Sequence, residues 1–387
     1  MKQLPIITIL PLLIFISGCN SGDSSSNQVI NQGMNISITP NSTGVCSYVN
    51  APCVSVSICD SSGNNCSTVN NVLLDTGSYG LRLFNSTISQ NTLNNLKPIT
   101  DKNNNPVGEC VSYGDGSQNW GGVYKANINL SSDAIAANVP IQIINSSFYT
   151  PPSECYNATQ SPQDFGLNGV LGVGLYIADG GSYYSCNNNG CSAISLSSNE
   201  QVSNPISFLP NNNNGLTLLF PSIPLNGAKN QSGTLYFGVN TNSQNTFNPS
   251  NVYKANTSNI PTFSSQYNSN SYSAFLDSGT NTLSIANSGL TSCEFSSSWL
   301  CPSNNTNLTF LNYNSNNTGI QSILTIGNAS SLLNTNNTSF STIGTNLNFG
   351  IGLNYVDYGL PYFYGKTVQL VFQNSNSNLG TGPFWAW

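Results

Sequence analysis

The chain has 387 residues, only 6 % of which are charged, and its formal net charge at pH 7 is −6. With eight Lys and Arg residues in all, it lacks the basic surface that binds nucleic acid, so no nucleic-acid partner is expected. It contains no histidine, which excludes Ser-His-Asp and Cys-His nucleophile arrangements and the zinc sites that depend on imidazole. Any hydrolytic chemistry would use carboxylates, hydroxyls or lysine, and we expect neither a metal nor another cofactor.

The first residues have the pattern of an export signal. A lysine precedes an apolar run over residues 4–16, and Ile16-Ser17-Gly18-Cys19 follows, a tetrapeptide that resembles the lipobox of bacterial lipoproteins. We expect a signal peptide over 1–18, a lipid on Cys19 and a flexible tether over 19–34. The exported bacterial protein would then face the periplasm or the cell exterior and contact the membrane only through its anchor. The alternative is an ordinary secretory signal with a chance cysteine.

The cysteines point to disulfide bonds. Of the eleven cysteines, ten follow Cys19, and an even number in an exported chain favours disulfides over metal thiolates. Sequence alone does not determine their connectivity. The simplest pairing joins near neighbours and leaves one longer-range pair: Cys46 with Cys53, Cys59 with Cys66, Cys186 with Cys191, Cys293 with Cys301, and Cys110 with Cys155.

Strand-like runs dominate the rest of the chain. Helical periodicity is scarce, whereas short runs rich in β-branched and aromatic residues alternate with clusters of Gly, Asn, Pro and Ser. We therefore predict an all-β chain with at most a few short helices. In chain order the predicted strands are NVLLD (71–75), GVYKANINL (122–130), VPIQIINSSF (139–148), GTLYFGV (233–239), YSAFLD (272–277) and KTVQLVFQ (366–373).

One pattern occurs twice, about two hundred residues apart. VLLDTGSYGLRL (72–83) and AFLDSGTNTLSI (274–285) each place Asp after apolar residues and before hydroxyl-Gly-hydroxyl. One such match by chance would be a turn, but two have a chance probability of about one in a thousand. Two carboxyls about 3 Å apart cannot both ionise, so they share one proton and act as base and acid. The glycines permit tight turns, and the hydroxyls can hold the carboxyls.

These motifs resemble those of the pepsin-like aspartic proteases, and they occur in the family's order. The matching segments are LLDTGS (73–78) and FLDSGT (275–280) for the catalytic motifs, YGDGSQNWGG (113–122) for the flap hairpin, LNGVLGVGLY (167–176) for the segment behind the first Asp, and SGTLYFG (232–238) for the strand that opens the second lobe.

The resemblance implies an all-β, bilobal fold, with an N-terminal lobe over 35–215, a C-terminal lobe over 216–387 and a cleft between them. It implies a monomer that acts on a polypeptide substrate. Trp120, on the flap hairpin, either lines the cleft or covers its lobe. The implied roles are catalysis for Asp75 and Asp277, support of the two acids for Thr76, Ser78, Ser278 and Thr280, and substrate binding for Tyr113, Gly114, Gly77 and Gly279.

Two departures from the family pattern matter. Arg82 lies seven residues after the first Asp, where the family commonly has a Trp that hydrogen-bonds the flap Tyr. Arg82 is a candidate modulator, because a buried cation near the two acids would lower their pKa values; alternatively it points away and pairs with Asp115 or a backbone carbonyl. The family's second hydrophobic-hydrophobic-Gly segment has only an approximate counterpart in YGLPYFYGK (358–366).

Three functions remain open from the sequence. The first is a lipid-anchored aspartic endopeptidase that hydrolyses peptide bonds with a water activated between Asp75 and Asp277. The second is a catalytically inactive pepsin-like lipoprotein that binds peptide or protein partners of the cell envelope. The third is an unrelated Asn-rich β adhesin, which would require the paired motifs, the flap-like segment and their order to be coincidental.

Overall fold

The computed structural model describes residues 32–39, 44–159, 161–256, 258, 260–346 and 354–387. The predicted signal peptide, Cys19 and most of the predicted tether lie outside the described residues. The first strand begins at Gly33, so the last two residues of the segment predicted as a tether belong to a strand. No helix of the described residues is long and apolar enough to cross a membrane.

Short strands are the main regular structure of the described chain and far exceed its helices, which confirms the all-β prediction, and each predicted strand overlaps an observed one. In the first part of the chain the strands are β1 Gly33–Ile38, β2 Cys53–Cys59, β3 Cys66–Asp75, β4 Tyr79–Phe84, β5 Lys97–Pro98, β6 Val107–Ser112, β7 Gln118–Ser131, β8 Ala134–Ile144, β9 Gly169–Val173, β10 Ser182–Asn187, β11 Gly190–Ile194, β12 Gly215–Phe220 and β13 Gln231–Phe237. The remaining strands are β14 Val252–Lys254, β15 Phe263–Tyr267, β16 Asn270–Asp277, β17 Leu283–Ile285, β18 Ser292–Cys293, β19 Ser296–Leu300, β20 Thr306–Tyr313, β21 Gly319–Ile326, β22 Gly344–Asn346, β23 Tyr355–Gly359, β24 Lys366–Val371, β25 Asn376–Ser377, β26 Gly380–Thr381 and β27 Phe384–Ala386.

The helices are short, as predicted. The α-helices are α1 Gln90–Asn95, α2 Pro162–Phe165, α3 Ala329–Leu333 and α4 Leu360–Phe363, and 3-10 turns occur at Asn85–Thr87, Ser153–Cys155 and Pro205–Phe208.

Two large sheets organise the part of the chain that the structure describes. One contains sixteen strands in the order β11-β10-β6-β7-β8-β4-β9-β3-β2-β1-β13-β12-β24-β27-β14, with β5 on β7. The other contains nine strands in the order β18-β19-β22-β17-β23-β16-β15-β20-β21. The first sheet includes strands from both predicted lobes, and the lobe boundary near residue 215 stays a prediction.

Each half of the chain builds the same three-strand unit. In the first half, β3 runs parallel to β9 with Asp75 opposite Gly172, and β4 pairs antiparallel with β9. In the second half, β16 runs parallel to β23 with Asp277 opposite Gly359, and β17 pairs antiparallel with β23. Gly359 is therefore the counterpart of Gly172 within the approximate motif at 358–366.

Both motif glycines are required by close backbone contacts. A Cβ on Gly172 would lie 2.6 Å from the backbone nitrogen of Tyr79, and a Cβ on Gly359 would lie 2.1 Å from the carbonyl oxygen of Thr282. Because a strand crosses so closely behind each acid, only glycine fits at these positions.

All five predicted disulfides are present. The bonded pairs are Cys46–Cys53, Cys59–Cys66, Cys110–Cys155, Cys186–Cys191 and Cys293–Cys301.

The first disulfide closes a loop that holds the two halves of the chain together. In this loop the fully buried Asn50 donates from its side-chain amide to the carbonyl oxygens of Asn281 at 2.8 Å and Phe340 at 2.9 Å. Its amide oxygen accepts from the Phe340 backbone N–H at 2.8 Å and the Tyr364 hydroxyl at 2.9 Å. At the other end of the loop, the Cys46 backbone N–H donates to the carbonyl oxygen of Gly166 at 2.6 Å.

Replacing Asn50 should therefore weaken the whole fold. Asn50→Gly keeps a residue suited to the observed φ of 55°, but it leaves buried polar groups of Phe340 and Tyr364 without partners. We expect the free energy of unfolding to fall by about 2–4 kcal/mol in denaturant titrations. The matched control is Asn104→Gly, because Asn104 is exposed and has a φ of 62°. Equal stability of the two variants would contradict this role.

Candidate active site

Asp75 and Asp277 end corresponding strands, and each opens the same kind of turn. Asp75 accepts hydrogen bonds from the Gly77 backbone N–H at 2.8 Å and from the Ser78 hydroxyl at 2.5 Å. Asp277 accepts from the Gly279 backbone N–H at 2.7 Å and from the Thr280 hydroxyl at 3.0 Å. The repeated Asp-hydroxyl-Gly-hydroxyl pattern thus encodes two carboxyls, each oriented by the residues two and three positions after it.

Thr76 and Ser278 join the two turns. The Thr76 backbone N–H donates to the Ser278 hydroxyl at 3.1 Å, and the Ser278 backbone N–H donates to the Thr76 hydroxyl at 2.9 Å. The Thr76 hydroxyl also donates to the Leu276 carbonyl at 3.1 Å, and the Ser278 hydroxyl to the Leu74 carbonyl at 2.8 Å. These buried reciprocal bonds place the two acids side by side.

The neighbouring glycines let the carboxyls meet. A Cβ on Gly77 would lie 2.3 Å from Oδ2 of Asp277, and a Cβ on Gly279 would lie 2.6 Å from Oδ1 of Asp75. The same added Cβ on Gly279 would lie 3.1 Å from Oδ1 of Asp277, so the two carboxyls face each other at close range, where both cannot easily ionise. Burial, and then the charge of Asp75, raise the pKa of Asp277 well above its usual range, against the opposing hydrogen bond from Gly279. The pair is therefore arranged to hold one shared proton.

The flap-like segment forms the predicted hairpin between β6 and β7. Tyr113 opens its turn, in which the Tyr113 backbone N–H donates to the Ser117 carbonyl at 2.9 Å, and Gly114 is exposed at the tip. The ring of Tyr113 packs against Phe165, with the ring centres 5.9 Å apart. Trp120 is 1 % exposed and donates to the Tyr149 carbonyl, so it covers the lobe and does not line a cleft.

The Tyr113 side chain lies on the Asp75 side of the site. Its hydroxyl is buried and has no hydrogen-bond partner among the described residues. Burial raises the pKa of Tyr113, with Arg82 opposing this shift and Asp75 adding to it. The ring and hydroxyl are thus within electrostatic reach of both Arg82 and one of the acids.

Arg82 is buried and held by two acids. Its guanidinium donates to Glu109 at 2.7 Å, to Asp179 at 2.5 Å and to the Tyr79 carbonyl at 2.6 Å. The predicted bond to a backbone carbonyl is confirmed. The predicted pairing with Asp115 is wrong, because Asp115 sits in the flap turn and accepts from Ser117.

The ion pairs compensate the charge of Arg82. Burial would lower the pKa of Arg82, but Glu109 and Asp179 raise it, so the guanidinium stays charged. Burial raises the pKa of Glu109 despite the opposing effect of Arg82, and Asp179 adds to that rise. The groups that shift the pKa of Asp277 are carboxyls and the backbone of Gly279. Arg82 is therefore not a cation that lowers the pKa of Asp277, and it does not act as the modulator considered from the sequence.

Comparisons with known proteins agree with this architecture. Residues 27–387 match the family described as "Protein of unknown function (DUF3443)". The chain belongs to this family. No curated protein matches the sequence.

Among solved structures, the chain is similar to the aspartic proteinase from Irpex lacteus, with 17 % sequence identity and a TM-score of 0.55 over 92 % of this chain and 96 % of that one. It is also similar to Basic 7S globulin from soybean, with 10 % identity and a TM-score of 0.46 over 89 % of this chain and 93 % of that one. The likeness to the Irpex lacteus structure shows that the fold of this DUF3443 chain is pepsin-like.

Two residues near the paired acids were not found by sequence reasoning. Asp357, on β23, is 4 % exposed and raises the pKa of Asp277 through its charge. Tyr48, in the Cys46–Cys53 loop, has its pKa raised by burial and then by the charges of Asp75 and Asp277. Aligning GVLG (169–172) with VDYG (356–359) matches Asp357 with Val170, but it does not show that Asp357 lies near the acids; Tyr48 belongs to no motif.

The described residues include no group of three or more His, Cys, Asp or Glu side chains suited to a metal ion.

A side chain at Gly279 should force the carboxyls apart. The Cβ of Gly279→Ala would lie 2.6 Å from Oδ1 of Asp75, so we expect a loss of about 1–3 kcal/mol in the free energy of unfolding. The control is Gly319→Ala, where the nearest atom lies 3.4 Å from the added Cβ. If both variants unfold at the same denaturant concentration, the close approach of the carboxyls is not constrained by this glycine.

Removing the Arg82 charge should lower the free energy of unfolding, because its two buried acid partners would lose their cation. Arg82→Met leaves Glu109 and Asp179 buried without a cation, so we expect a loss of about 3–5 kcal/mol at pH 7. This loss should shrink as the pH falls, because both carboxyls can then take up protons. Lys102→Met, at an exposed lysine, controls for the change of charge. A loss that does not vary with pH would mean that packing, not charge, explains the effect.

Proposed function

We propose that this protein is an aspartic endopeptidase that hydrolyses peptide bonds between Asp75 and Asp277. The observation that carries the proposal is the close approach of the Asp75 and Asp277 carboxyls, built by the same three-strand unit in each half of a pepsin-like fold. The resemblance of the two motifs supports it, because the residues that orient the carboxyls are those that the motifs predict.

The geometry supports a direct attack by water. Asp277, whose pKa is raised by burial and by Asp75, carries the shared proton, and Asp75 accepts a proton from the attacking water. The water oxygen bonds to the carbonyl carbon while the Asp277 proton passes to the carbonyl oxygen, giving a tetrahedral diol. As the diol collapses, one of its hydroxyls returns a proton to Asp277 while the C=O bond re-forms, the C–N bond breaks, and the proton held by Asp75 passes to the leaving nitrogen.

Substrate would lie between the paired acids and the flap hairpin. We propose that Tyr113 and Gly114 cover an extended polypeptide, and that Gly77 and Gly279 leave room for its backbone beside the carboxyls. The unpartnered Tyr113 hydroxyl supports this role, because a bound peptide could supply its missing hydrogen bond.

We also propose that the protein acts as a monomer, exported and tethered to a bacterial membrane through a lipid on Cys19. The five disulfides are compatible with an oxidising compartment outside the cytoplasm. The lipobox-like tetrapeptide supports the anchor.

A binding protein without catalytic activity is the second candidate, and Tyr48 favours it. The Tyr48 hydroxyl is within reach of the charges of Asp75, Asp277 and the flap residue Asp115. The Tyr48 side chain is part of the disulfide-closed loop and packs against the cluster that contains Leu73 and Val170, so it offers a bound ligand a fixed hydroxyl that hydrolysis does not require.

Peptide cleavage decides between these candidates. The protein, produced with its disulfides formed, should cleave a quenched fluorescent peptide library between pH 3 and 7 in a pepstatin-sensitive manner. Asp75→Asn and Asp277→Asn should each lower kcat by about 10²–10⁴-fold, because each removes an acid-base group. Asp133→Asn, at an exposed acid, is the control. Wild type no more active than the two dyad variants, but still binding peptides, would establish the binding protein instead.

A further inference from the structure

A third carboxyl lies beside the paired acids. On β23, Asp357 is opposite Phe275 of β16 and opposite Ser284 of β17, two residues before the glycine that pairs with Asp277. The corresponding position on β9 is Val170, which is opposite Arg82 of β4. The two halves of the chain thus differ at matching positions. The first half pairs Val170 with Arg82, and the second half pairs Asp357 with Ser284.

Nothing in the described part of the chain compensates a negative charge on Asp357. The salt bridges there are those of Arg82 with Glu109 and Asp179, and the charge that acts on Asp357 is that of Asp75. Oδ1 of Asp357 is buried and has no hydrogen-bond partner.

The elements packed against β23 supply no cation. β16 presents Asp277, β17 presents the uncharged Ser284, and α4 presents Tyr362; Tyr355 and Tyr358 belong to β23 itself. Lys366, on β24, donates to the Tyr362 carbonyl at 2.7 Å.

Asp357 is therefore held as a neutral acid. A buried carboxylate with one unpartnered oxygen and two further carboxyls nearby is strongly disfavoured, whereas the protonated form leaves only a carbonyl oxygen unpaired. Burial accordingly raises the pKa of Asp357 well above its usual range; a hydrogen bond from Thr280 opposes this rise, and the Asp75 charge adds to it.

Thr280 connects this acid to the catalytic pair. Its hydroxyl donates to Oδ2 of Asp277 at 3.0 Å, and Thr280 is also the donor that opposes the burial-raised pKa of Asp357. A hydroxyl has a single hydrogen, so it can donate to only one of these carboxyls at a time. When Asp357 is protonated it can donate to the Thr280 oxygen, which leaves the Thr280 hydrogen for Asp277. When Asp357 is ionised it competes for that hydrogen.

We propose that Asp357 is a positioning residue for the paired acids: it donates as a neutral acid through Thr280 to Asp277, and its ionisation at higher pH opposes loss of the shared proton. Its effect on catalytic rate rests on the proposed peptidase function, whereas its protonation does not. The matching position of the first half is Val170, so only the second half of the chain supplies such an acid.

The first test needs no catalytic activity. At pH 7, infrared difference spectra between wild type and Asp357→Asn should show loss of a neutral-carboxyl C=O band, as should those for Asp277→Asn, whereas Asp133→Asn should show none. Any neutral-carboxyl band from Glu109 is common to all four proteins and cancels. Loss of the band in Asp277→Asn but not in Asp357→Asn would overturn the proposal.

Stability gives the second measurement. Because the folded-state pKa of Asp357 is raised, its contribution to stability is fully present below the unfolded-state pKa of about 3.9 and is lost as the pH rises through the folded-state pKa. Relative to Asp357→Asn, wild type should therefore lose stability between about pH 4 and 7. Parallel pH curves would overturn the neutral-acid assignment. If Asp357→Asn does not fold, Asp357→Val, which copies Val170, serves for both measurements.

The third measurement separates this inference from the proposed function. In peptide cleavage, the high-pH limb of kcat/KM for Asp357→Asn should move to lower pH by on the order of one pH unit, because the charge that opposes loss of the shared proton is gone. The limb should not move in Asp133→Asn. If wild type cleaves no peptide, the proposed function fails, while the infrared band still decides the state of Asp357. If wild type is active and the high-pH limb of kcat/KM lies at the same pH in Asp357→Asn, the proposed effect of Asp357 on the paired acids is overturned.

Discussion

The reciprocal hydrogen bonds between Thr76 and Ser278 are the constraint on which the site depends. Each residue uses its backbone N–H and its hydroxyl across the boundary between the two halves, so neither turn can shift without breaking bonds of the other. A carboxyl pair that shares a proton is mutually repulsive once both groups ionise, and it persists only where the backbone holds it. The Thr76–Ser278 hydrogen bonds hold the backbone next to the carboxyls. Asn50 provides a second connection between the two halves of the chain.

Charged residues are scarce in this chain, and the buried ones are accommodated in two ways. Arg82 is buried because Glu109 and Asp179 surround it, and the cluster is closed by further donors to Asp179 from the Tyr183 hydroxyl at 2.6 Å and the Gly181 backbone at 3.0 Å. Asp357 has no such partner, and protonation is its alternative to compensation. Ion pairing of Arg82 in the first half and protonation of Asp357 in the second half each reduce the free-energy cost of burying a charged group.

Much of the fold could be predicted from the sequence because its signals are local. Strands, turns and four of the five disulfides follow from short runs and short spacings, the pair Cys110–Cys155 follows because those two cysteines remain, and the paired acids follow from a pattern that occurs twice. The partners of Arg82 could not be predicted, because Glu109 and Asp179 are 27 and 97 residues away in the sequence and meet it only in the folded chain. The role of Trp120 could not be predicted for the same reason, because its burial depends on Tyr149 and the lobe around it and not on its own hairpin. Asp357 was missed because its importance comes from the register of β23 against β16, which no spacing within YVDYGL reveals.

The two halves repeat a unit but do not make equivalent acids. Asp75 has Val170 on the strand behind it, and the cation opposite Val170, Arg82, is compensated by Glu109 and Asp179. Asp277 has Asp357 behind it and a threonine that both carboxyls can use. An identical pair would share its proton without preference, whereas here burial, Asp75 and Asp357 all raise the pKa of Asp277, which favours the proposed place of the proton on the second-half acid. The difference between GVLG (169–172) and VDYG (356–359), a change within two short strands, therefore makes the surroundings of the two acids unequal.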